Sequence, residues 1–253
     1  MSEKPLITVA VPSYNQGRFL EQALSSIAMQ NVPHEIFVMD GGSNDNSLDI
    51  IKKWQDKIAG FRSHKDNGQS AAINEAIAKG SAPYVCWLNS DDWFLEGAFE
   101  KLLNALQNNH TSSAVYGRAW NVREKDNNKT PIWVEPFSRN RLALRCIISQ
   151  PATLIRRSAW EEVAGLNASL HMAMDYDLWW RLFKAAGPLT MVDEFVAVNR
   201  EHDETKTNTK RRLHYQEAMQ IVRENHGSVP LKWWLYQPYA VWFKSWSMMI
   251  KQA

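Results

Sequence analysis

The sequence predicts an α/β fold with a mainly parallel central sheet and helices on both of its faces. In the first half of the chain, short apolar runs rich in β-branched residues alternate with helical patterns, which is typical of repeated βα units. Each predicted strand leads into a loop that contains Asn, Gly, Ser or Asp. Because the carboxyl ends of parallel strands lie along one edge of a sheet, we expect these loops to meet there and form a site.

Four βα units are predicted within the first 110 residues. The strands are expected at residues 6–11, 35–39, 61–64 and 84–88, and Pro12 ends the first of them. The helices that follow are expected at residues 19–29, 46–57, 70–79 and 95–107.

The second half of the chain is less regular. Strands are predicted at residues 114–122, 131–134, 152–155, 189–192 and 195–198, and helices at 139–147, 158–163, 175–186 and 211–225. The polar segment 201–210 is predicted to be a mobile loop. We therefore expect one catalytic domain over residues 1–227, followed by a separate helical segment over residues 228–253.

The bulk composition excludes some classes of protein. The formal net charge is only +2 over 253 residues, so charge gives no reason to expect a nucleic-acid partner. The two cysteines, Cys86 and Cys146, lack the spacing of a metal or redox site and are expected to be reduced core thiols. The N-terminus has no apolar leader and no apolar run is long enough to span a bilayer, so we expect a cytoplasmic protein.

Two adjacent carboxylates, Asp91 and Asp92, follow the apolar strand predicted at residues 84–88. Neighbouring carboxylates repel each other, and a hard divalent cation that bridges them to a phosphate would remove that cost. The alternative interpretation is a polar turn that caps the next helix, because Asn, Ser and Asp favour such positions. The residues alone leave both interpretations open.

Five stretches of the chain, taken together, resemble one enzyme family. They are Val-Ala-Val-Pro-Ser-Tyr-Asn at 9–15, Val-Met-Asp-Gly-Gly-Ser-Asn-Asp-Asn-Ser at 38–47, Asp-Asn-Gly-Gln-Ser at 66–70, Leu-Asn-Ser-Asp-Asp at 88–92 and Met-Asp-Tyr-Asp-Leu-Trp at 174–179. In this order they resemble family 2 glycosyltransferases, which have the Rossmann-like GT-A nucleotide-diphospho-sugar transferase fold. The resemblance covers roughly residues 5–225. It implies a nucleotide-sugar-binding half over about 1–110 and an acceptor-side half over about 111–227.

The resemblance assigns a donor pocket to the loops of the first half. Asp40 lies where the family places its base-recognising aspartate, and a carboxylate there can accept a hydrogen bond from a uracil imide. The alternative for Asp40 is an Asp-Gly turn with a capping role. Ala71 replaces an acidic residue that is common in the family, which puts donor-sugar contacts from that helix in doubt. The other donor-binding candidates are Pro12, Tyr14, Asn15, Asp66, Gly68, Gln69 and Asp91.

The resemblance also implies a cation, Mn²⁺ or Mg²⁺, that bridges the two phosphates of the donor. Asp92 is assigned as the direct ligand, and Asp91 is expected to support the ribose or sugar. Asn89 stands at the first position of the acidic motif, where the family often has Asp. His202 is a candidate second ligand, because related enzymes often have a histidine near the metal; the alternative is a solvent-exposed loop histidine.

Asp175 is the candidate catalytic base. It stands at the start of an amphipathic helix, and inverting transfer requires a carboxylate that accepts the proton of the acceptor hydroxyl. The family usually has an acidic residue before this aspartate, whereas this chain has Met174. The alternative interpretation of Asp175 is an N-cap favoured by the helix dipole.

The C-terminal segment 228–253 is rich in aromatic residues. It holds four tryptophans and three lysines but no acidic residue, a composition that suits a membrane interface. The alternative is that its apolar stripe docks on the catalytic domain or on a dimer partner. That predicted stripe consists of Tyr239, Trp242, Phe243, Trp246, Met249 and Ile250.

Together, these features predict a metal-dependent, inverting glycosyltransferase of the hexosyltransferase class. Its expected donor is a UDP-sugar, and its expected acceptor is a hydroxyl of a glycan or lipid-linked glycan in bacterial surface polysaccharide (O-antigen or capsule) biosynthesis. The enzyme is expected in the cytoplasm, peripheral on the inner membrane, with no nucleic-acid partner and with oligomer formation left open. One alternative is a sugar-nucleotide pyrophosphorylase, although residues 13–17 are not the Gly-rich, Arg-containing loop of that class. The other alternative is a catalytically silent, membrane-associated scaffold.

Overall fold

The computed structural model describes residues 3–202, 205 and 210–243, and within them nine strands form one sheet. The strands are β1 Ile7–Ser13, β2 His34–Asp40, β3 Gly60–Ser63, β4 Tyr84–Trp87, β5 Trp93–Phe94, β6 Ala114–Arg123, β7 Lys129–Pro131, β8 Thr153–Arg156 and β9 Leu189–Glu201. Their order across the sheet is β3-β2-β1-β4-β8-β6-β9-β5, with β7 paired to β6.

Helices connect most of these strands. They are α1 Gly17–Ala28, α2 Ser47–Lys53, α3 Gln69–Lys79, α4 Ala98–Asn108, α5 Arg139–Leu144, α6 Arg157–Glu162, α7 Met174–Ala185, α8 Arg211–His226 and α9 Leu231–Gln237. A 3-10 turn at Gln150–Ala152 precedes β8, and a π-helical turn at Pro238–Phe243 follows α9.

The first four βα units form the parallel half of the sheet, as predicted. β1 pairs in parallel with both β2 and β4, and β2 pairs in parallel with β3. Every residue of β1 is buried, which explains its nearly continuous apolar sequence. Ser13 is in register with Asp40, and Asp40 with Ser63, so the three following loops begin level with one another.

The second half of the sheet is mixed. β8 runs antiparallel to β4 and β6, whereas β9 runs parallel to β6 and antiparallel to β5. The two strands predicted at residues 189–192 and 195–198 form the single long strand β9, with a pairing irregularity near Gly117. A side chain at Gly117 would lie 2.8 Å from Val196 Cγ2, so the glycine permits the close approach of β6 and β9.

Several predicted bounds differ from the observed ones. The short strand β5 lies where only the loop before the predicted helix at 95–107 was expected, and that helix begins at Ala98. The partner strand of β6 lies at Lys129–Pro131 rather than at residues 131–134. α5 ends at Leu144 because Arg145 is fully extended.

The core has two parts, one on each face of the sheet, as expected for helices on both faces. One part includes residues of α3, α7 and α8, and the other includes residues of α1 and α4. Trp87 of β4 stacks on Trp179 of α7, with ring centroids 6.0 Å apart, so tryptophan forms much of the first part. Cys86 is buried and Cys146 is partly buried, and both are free thiols.

The C-terminal part of the described chain is held to the domain by Trp233 of α9. Its indole N–H donates to Ala143 O at 2.8 Å, and Tyr215 donates its hydroxyl proton to Trp233 O at 2.7 Å. Trp246, Met249 and Ile250 of the predicted apolar stripe lie outside the described residues. No helix in the described ranges is long and apolar enough to cross a bilayer.

Candidate functional site

The first two loops of the parallel half are hydrogen-bonded to each other through Asn15. Its backbone N–H donates to Ser43 Oγ at 2.8 Å, and its side-chain oxygen accepts from the N–H of Asn44 at 3.0 Å. Asn15 has a φ of 52°, a left-handed conformation that asparagine tolerates better than most residues. Pro12 is buried near the end of β1, just before this loop.

Asp40 is fully buried, and its carboxylate organises the second loop. Oδ2 accepts hydrogen bonds from the N–H groups of Gly42 (3.1 Å) and Ser43 (2.9 Å) and from the hydroxyl of Ser63 (2.6 Å). The Ser43 hydroxyl donates to Oδ1. The donors of the loop thus compensate the buried charge, and the predicted contact between Asp40 and a nucleotide base stays a prediction.

Tyr14 and Asp66 lie next to each other across Gly41. A Cβ atom at Gly41 would stand 3.2 Å from Tyr14 Cδ2 and 3.6 Å from Asp66 Oδ2. The Tyr14 side chain is 62% exposed, so its ring offers an open aromatic surface at this edge. Asp66 is held by the guanidinium of Arg62 at 2.9 Å and by the N–H of Gly68 at 2.8 Å.

The side-chain amide of Asn89 joins three elements at the end of β4. Its oxygen accepts from Gln69 Nε2 at 2.7 Å, which connects it to the start of α3. Its nitrogen lies 3.2 Å from both Asp92 Oδ2 and Gln150 Oε1. Gln150 in turn donates to Trp87 O at 2.9 Å. Because the amide both accepts and donates here, an aspartate at this position would face two oxygens without a proton between them.

Asp92, the predicted metal ligand, points into the protein. The residue is only 2% exposed, and Oδ1 accepts the backbone N–H of Arg200 at 2.9 Å while Oδ2 accepts from Asn89. Burial, and then the negative charge of Asp91, raise the pKa of Asp92 well above its ordinary value. Both oxygens are therefore engaged by internal donors.

Asp91 and His202 form a close pair at the same edge. Asp91 Oδ2 lies 3.0 Å from His202 Nε2, and the Asp91 side chain is 22% exposed. His202 is buried, with its ring 5.0 Å from that of Phe19 and its Nδ1 3.3 Å from a guanidinium nitrogen of Arg18. His202 is thus not an exposed loop histidine, which was the alternative interpretation.

Arg200 is a central residue of the site that was not predicted. Its Nε donates to the backbone oxygen of Asp91 at 3.0 Å, and its guanidinium lies 4.5 Å from the Phe19 ring centroid and 4.6 Å from that of Trp93. Burial lowers the pKa of Arg200. The sequence signal was a polar Asn-Arg-Glu-His run after apolar strand residues, but only its histidine was selected.

A cation at this edge would need ligands from a bound molecule in addition to those of the protein. Among the described residues, no group of three or more His, Cys, Asp and Glu side chains is arranged to hold a metal ion. The pair Asp91 and His202 offers one carboxylate and one imidazole. Mg²⁺ is usually bound through one or two carboxylates together with substrate phosphates, so two protein ligands are consistent with such a site.

The start of α7, which carries Asp175, is bonded to the start of α3. Met174, which precedes it, accepts a hydrogen bond on Sδ from the hydroxyl of Ser70 at 2.8 Å, and Ser70 follows Gln69 in α3. Asp175 is partly buried, and Oδ1 accepts the N–H of Tyr176 at 2.8 Å. Burial raises the pKa of Asp175, while the Tyr176 N–H and the charge of His214 oppose the rise.

Glu217 of α8, also not predicted, anchors the segment that leads into Asp175. Its buried carboxylate accepts the backbone N–H groups of His171 at 3.0 Å, Met172 at 2.8 Å and Ala173 at 2.9 Å. These donors immediately precede α7, where helices have unpaired N–H groups. Glu217 stands among apolar residues of α8 in the sequence, which was the one available signal.

The chain is similar to a polysaccharide-synthesising enzyme among curated proteins. Chondroitin synthase of Escherichia coli is 24% identical over 238 residues, which cover 92% of this chain and 34% of the synthase. The chain spans about a third of the length of the first curated relatives it matches.

Two solved structures share the fold. Residues 1–349 of S. aureus TarS in complex with UDP-GlcNAc match with a TM-score of 0.70 and 19% identity, over 88% of this chain and 66% of that one. The mannosyltransferase PcManGT of Pyrobaculum calidifontis, in complex with GDP-Man and Mn²⁺, matches with a TM-score of 0.67 and 19% identity, over 93% and 68%. These likenesses confirm the predicted fold class.

The family is established by the sequence itself. The pattern of the family described as "Glycosyl transferase family 2" matches residues 8–163, which is more than half of the chain and includes the parallel half of the sheet. The matched range contains Asp40, Asp91 and Asp92, whereas Asp175 and His202 follow it. The prediction of the family is confirmed: the chain belongs to glycosyl transferase family 2.

Proposed function

We propose that the protein transfers a sugar from a UDP-linked donor to a hydroxyl group of a glycan or lipid-linked glycan, with inversion at the anomeric carbon. The observation that carries this proposal is the convergence of two kinds of group at one sheet edge. The Asp91–His202 pair would suit a diphosphate-bound cation. The residue before Asp175, Met174, is bonded to Ser70, and the neighbouring Gln69 is bonded to Asn89, two residues before Asp91. A donor and an acceptor could therefore meet between them.

The donor nucleotide is assigned to the loops after β1, β2 and β3. In this proposal Asp40 shapes the base-binding loop, and the exposed ring of Tyr14 offers a stacking surface for the base. Asp66 and Gly68 would lie beside the ribose or the phosphates. The UDP-GlcNAc complex of TarS supports the choice of UDP, while the GDP-Man complex of PcManGT supports a nucleotide sugar in general.

The cation, Mn²⁺ or Mg²⁺, is assigned to Asp91 and His202 in preference to Asp92. Asp91 has solvent access, whereas both oxygens of Asp92 accept internal hydrogen bonds. His202, whose Nε2 lies against Asp91 and whose Nδ1 lies against Arg18, would bind the cation by exchanging its contact with Asp91 for the metal. Asp92 then acts on the site by fixing the backbone of Arg200, two residues before His202. When bound, the cation supplies positive charge that balances the charge of the departing nucleoside diphosphate.

Asp175 is assigned as the general base. Its carboxylate would accept the acceptor hydroxyl proton as that oxygen forms a bond to the anomeric carbon and the bond to the diphosphate oxygen breaks on the opposite side. A raised pKa suits this task, because a base with a pKa nearer to neutral pH binds the proton more strongly. Membership of a glycosyltransferase family argues against the alternative of a pyrophosphorylase.

We further propose that α9 contacts the cytoplasmic face of the inner membrane during bacterial surface polysaccharide assembly. The similarity to chondroitin synthase supports a polysaccharide product. Leu231, Trp234 and Leu235 share one helical face and are exposed, with Leu231 at 70% and Leu235 at 72%. Trp233 faces the domain instead, so this exposed face is presented in a fixed orientation.

The first prediction concerns the cation. In a panel of UDP- and GDP-sugars with Mn²⁺ or Mg²⁺, at least one UDP-sugar should release UDP, and EDTA should suppress the release. Asp91→Asn should raise the cation concentration needed for half-maximal release by about 10–100-fold, since it removes a charged ligand. Asp92→Asn should keep the cation response, because the amide oxygen can still accept the Arg200 N–H.

The opposite pattern, a lost response in Asp92→Asn and a normal one in Asp91→Asn, would support Asp92 as the ligand instead. If no donor binds or turns over, the protein is not an active transferase, and the silent-scaffold alternative stands.

The second prediction concerns Asp175. Asp175→Asn should lower transfer by at least about 100-fold while donor binding persists. Because burial raises the pKa of Asp175, the folded state holds the proton more tightly than the unfolded state, and ionisation destabilises the fold as pH rises through the folded pKa. The neutral amide should therefore leave the melting temperature at pH 7 unchanged or raise it.

Asp177→Asn is the matched control on the same helix. Asp177 is buried and paired with Arg181 at 2.7 Å, so this variant should lose stability but keep transfer. In the unsubstituted enzyme, kcat should fall toward acid pH at a pH above the ordinary pKa of aspartate. Full activity in Asp175→Asn would remove Asp175 as the base.

The third prediction concerns Glu217 as a positioning residue. Glu217→Gln replaces one oxygen by an NH₂ group that cannot accept, so at least one of the three N–H groups before α7 loses its partner. We expect kcat for transfer to fall about tenfold, with the KM for the donor unchanged, because Asp175 would be held less firmly. The control is Glu224→Gln, an exposed glutamate of the same helix. Equal kinetics in the two variants would contradict this role.

The fourth prediction concerns α9. The protein should sediment with vesicles that contain phosphatidylglycerol, and Leu231→Ser with Leu235→Ser should weaken this binding about tenfold. Met29→Ser, at an exposed apolar residue elsewhere, should not. Retained vesicle binding in the double variant, or a change in its oligomeric state, would instead indicate that this face contacts something other than lipid.

A further inference from the structure

Trp133 is a large exposed aromatic residue in the segment between β7 and α5. The residue is 59% exposed, although a tryptophan usually buries most of its surface. Its indole N–H donates to Glu135 Oε1 at 2.6 Å. The edge of the ring is therefore held by a charged partner while much of the ring stays open to solvent.

The partner of Trp133 is itself fixed. Arg141 donates to both oxygens of Glu135, at 2.5 and 2.6 Å, and lowers the pKa of Glu135 to about 2. The backbone of Glu135 is also bound, since its oxygen accepts from the Tyr116 hydroxyl at 2.6 Å and its N–H donates to Ile147 O at 3.3 Å. These contacts hold the indole in one orientation before any ligand arrives.

The same segment borders Asp175. Tyr176, the next residue after Asp175, donates its hydroxyl proton to Leu142 O. Cys146, two residues beyond the end of α5, packs against the part of the core that contains Tyr176. Trp133 is thus connected through Glu135, Arg141 and α5 to the first turn of α7, which carries Asp175.

We propose that Trp133, together with Glu135 and Arg145, binds a pyranose ring of the acceptor glycan. The proposal rests on the transfer to a glycan proposed above. The negative face of an indole attracts the weakly positive C–H groups on one face of a pyranose, while carboxylate and guanidinium groups hydrogen-bond hydroxyls at its rim. The Arg145 guanidinium lies over one face of the indole, 5.3 Å from its centroid, so the pyranose would stack on the opposite face and meet the guanidinium only at the rim.

The surroundings of Trp133 favour a sugar over a protein partner. Arg139 and Arg141 are exposed nearby in sequence, and Val134 is buried, so the indole is bordered by charged groups rather than by an apolar patch. Protein interfaces usually have an apolar centre that is depleted in charged residues. A rigid aromatic ring with polar groups at its edge requires little ordering when a ligand binds.

The test measures sugar binding without the donor. Chitotetraose, a chondroitin tetrasaccharide and a hyaluronan tetrasaccharide are titrated into the full chain by calorimetry, which covers neutral and acidic glycans. We expect at least one to bind, Trp133→Ala to weaken it about tenfold and Trp133→Phe to keep most of the affinity. Phe61→Ala, at an exposed aromatic residue of β3, is the control and should bind normally.

A second readout separates acceptor binding from donor chemistry. Slow hydrolysis of the donor by water should be unchanged in Trp133→Ala, while the KM for the oligosaccharide acceptor rises. Equal binding in Trp133→Ala and the unsubstituted protein, or no binding of any of the three sugars by the unsubstituted protein, would overturn the proposal. So would a change in oligomeric state, which would mark Trp133 as a protein contact. An absence of donor turnover with normal sugar binding would instead contradict the proposed transfer.

Discussion

The arrangement of the site depends on the side-chain amide of Asn89. One end of this amide accepts from the start of α3, and the other lies against Asp92 and the turn before β8. A carboxylate could not replace it without placing negative oxygens together in a buried place. The hydrogen-bond partners of Asn89 therefore suit an amide rather than the acidic residue that the family often has at this position. It leaves Asp91 as the carboxylate of this loop with solvent access.

The Asp91–His202 pair and Asp175 are positioned by two successive elements of the chain, β9 and α8. His202 lies just beyond the end of β9, and α8, which begins nine residues later, carries Glu217 to the backbone before Asp175. The cation pair and the base are thus positioned by neighbouring parts of the sequence, although Asp91 and Asp175 are far apart in it. In the proposed mechanism, a shift of α8 would affect the position of the base through Glu217.

Sequence reasoning located the groups that depend on local pattern. Strand ends and polar loops identify Asp40, Asp66 and Asp91, because period and turn chemistry are local properties. It could not locate Arg200 or Glu217, whose partners are more than 40 residues away and whose roles arise from tertiary contacts. It assigned Asp92 rather than Asp91 as the direct cation ligand, but which side chain is buried depends on how the chain turns after β4, and it is Asp92 that is buried. A tertiary contact also explains why the two strands predicted at 189–192 and 195–198 form the single strand β9. Pairing with β6 continues on both sides of the polar residues between them.

The tryptophans around α7, in the segment after β7 and on α9 have two physical roles. Trp87, Trp179 and Trp160 are buried around α7 and give the helix of Asp175 a rigid support. Trp133 and Trp234 are exposed, the first in the segment between β7 and α5 and the second on α9. Because Trp233 bonds to Ala143 of α5, just after the Trp133 segment, the two exposed regions are carried by connected elements. In the proposed function, a glycan on a membrane-bound lipid could then reach Asp175 along this side while the nucleotide occupies the opposite loops.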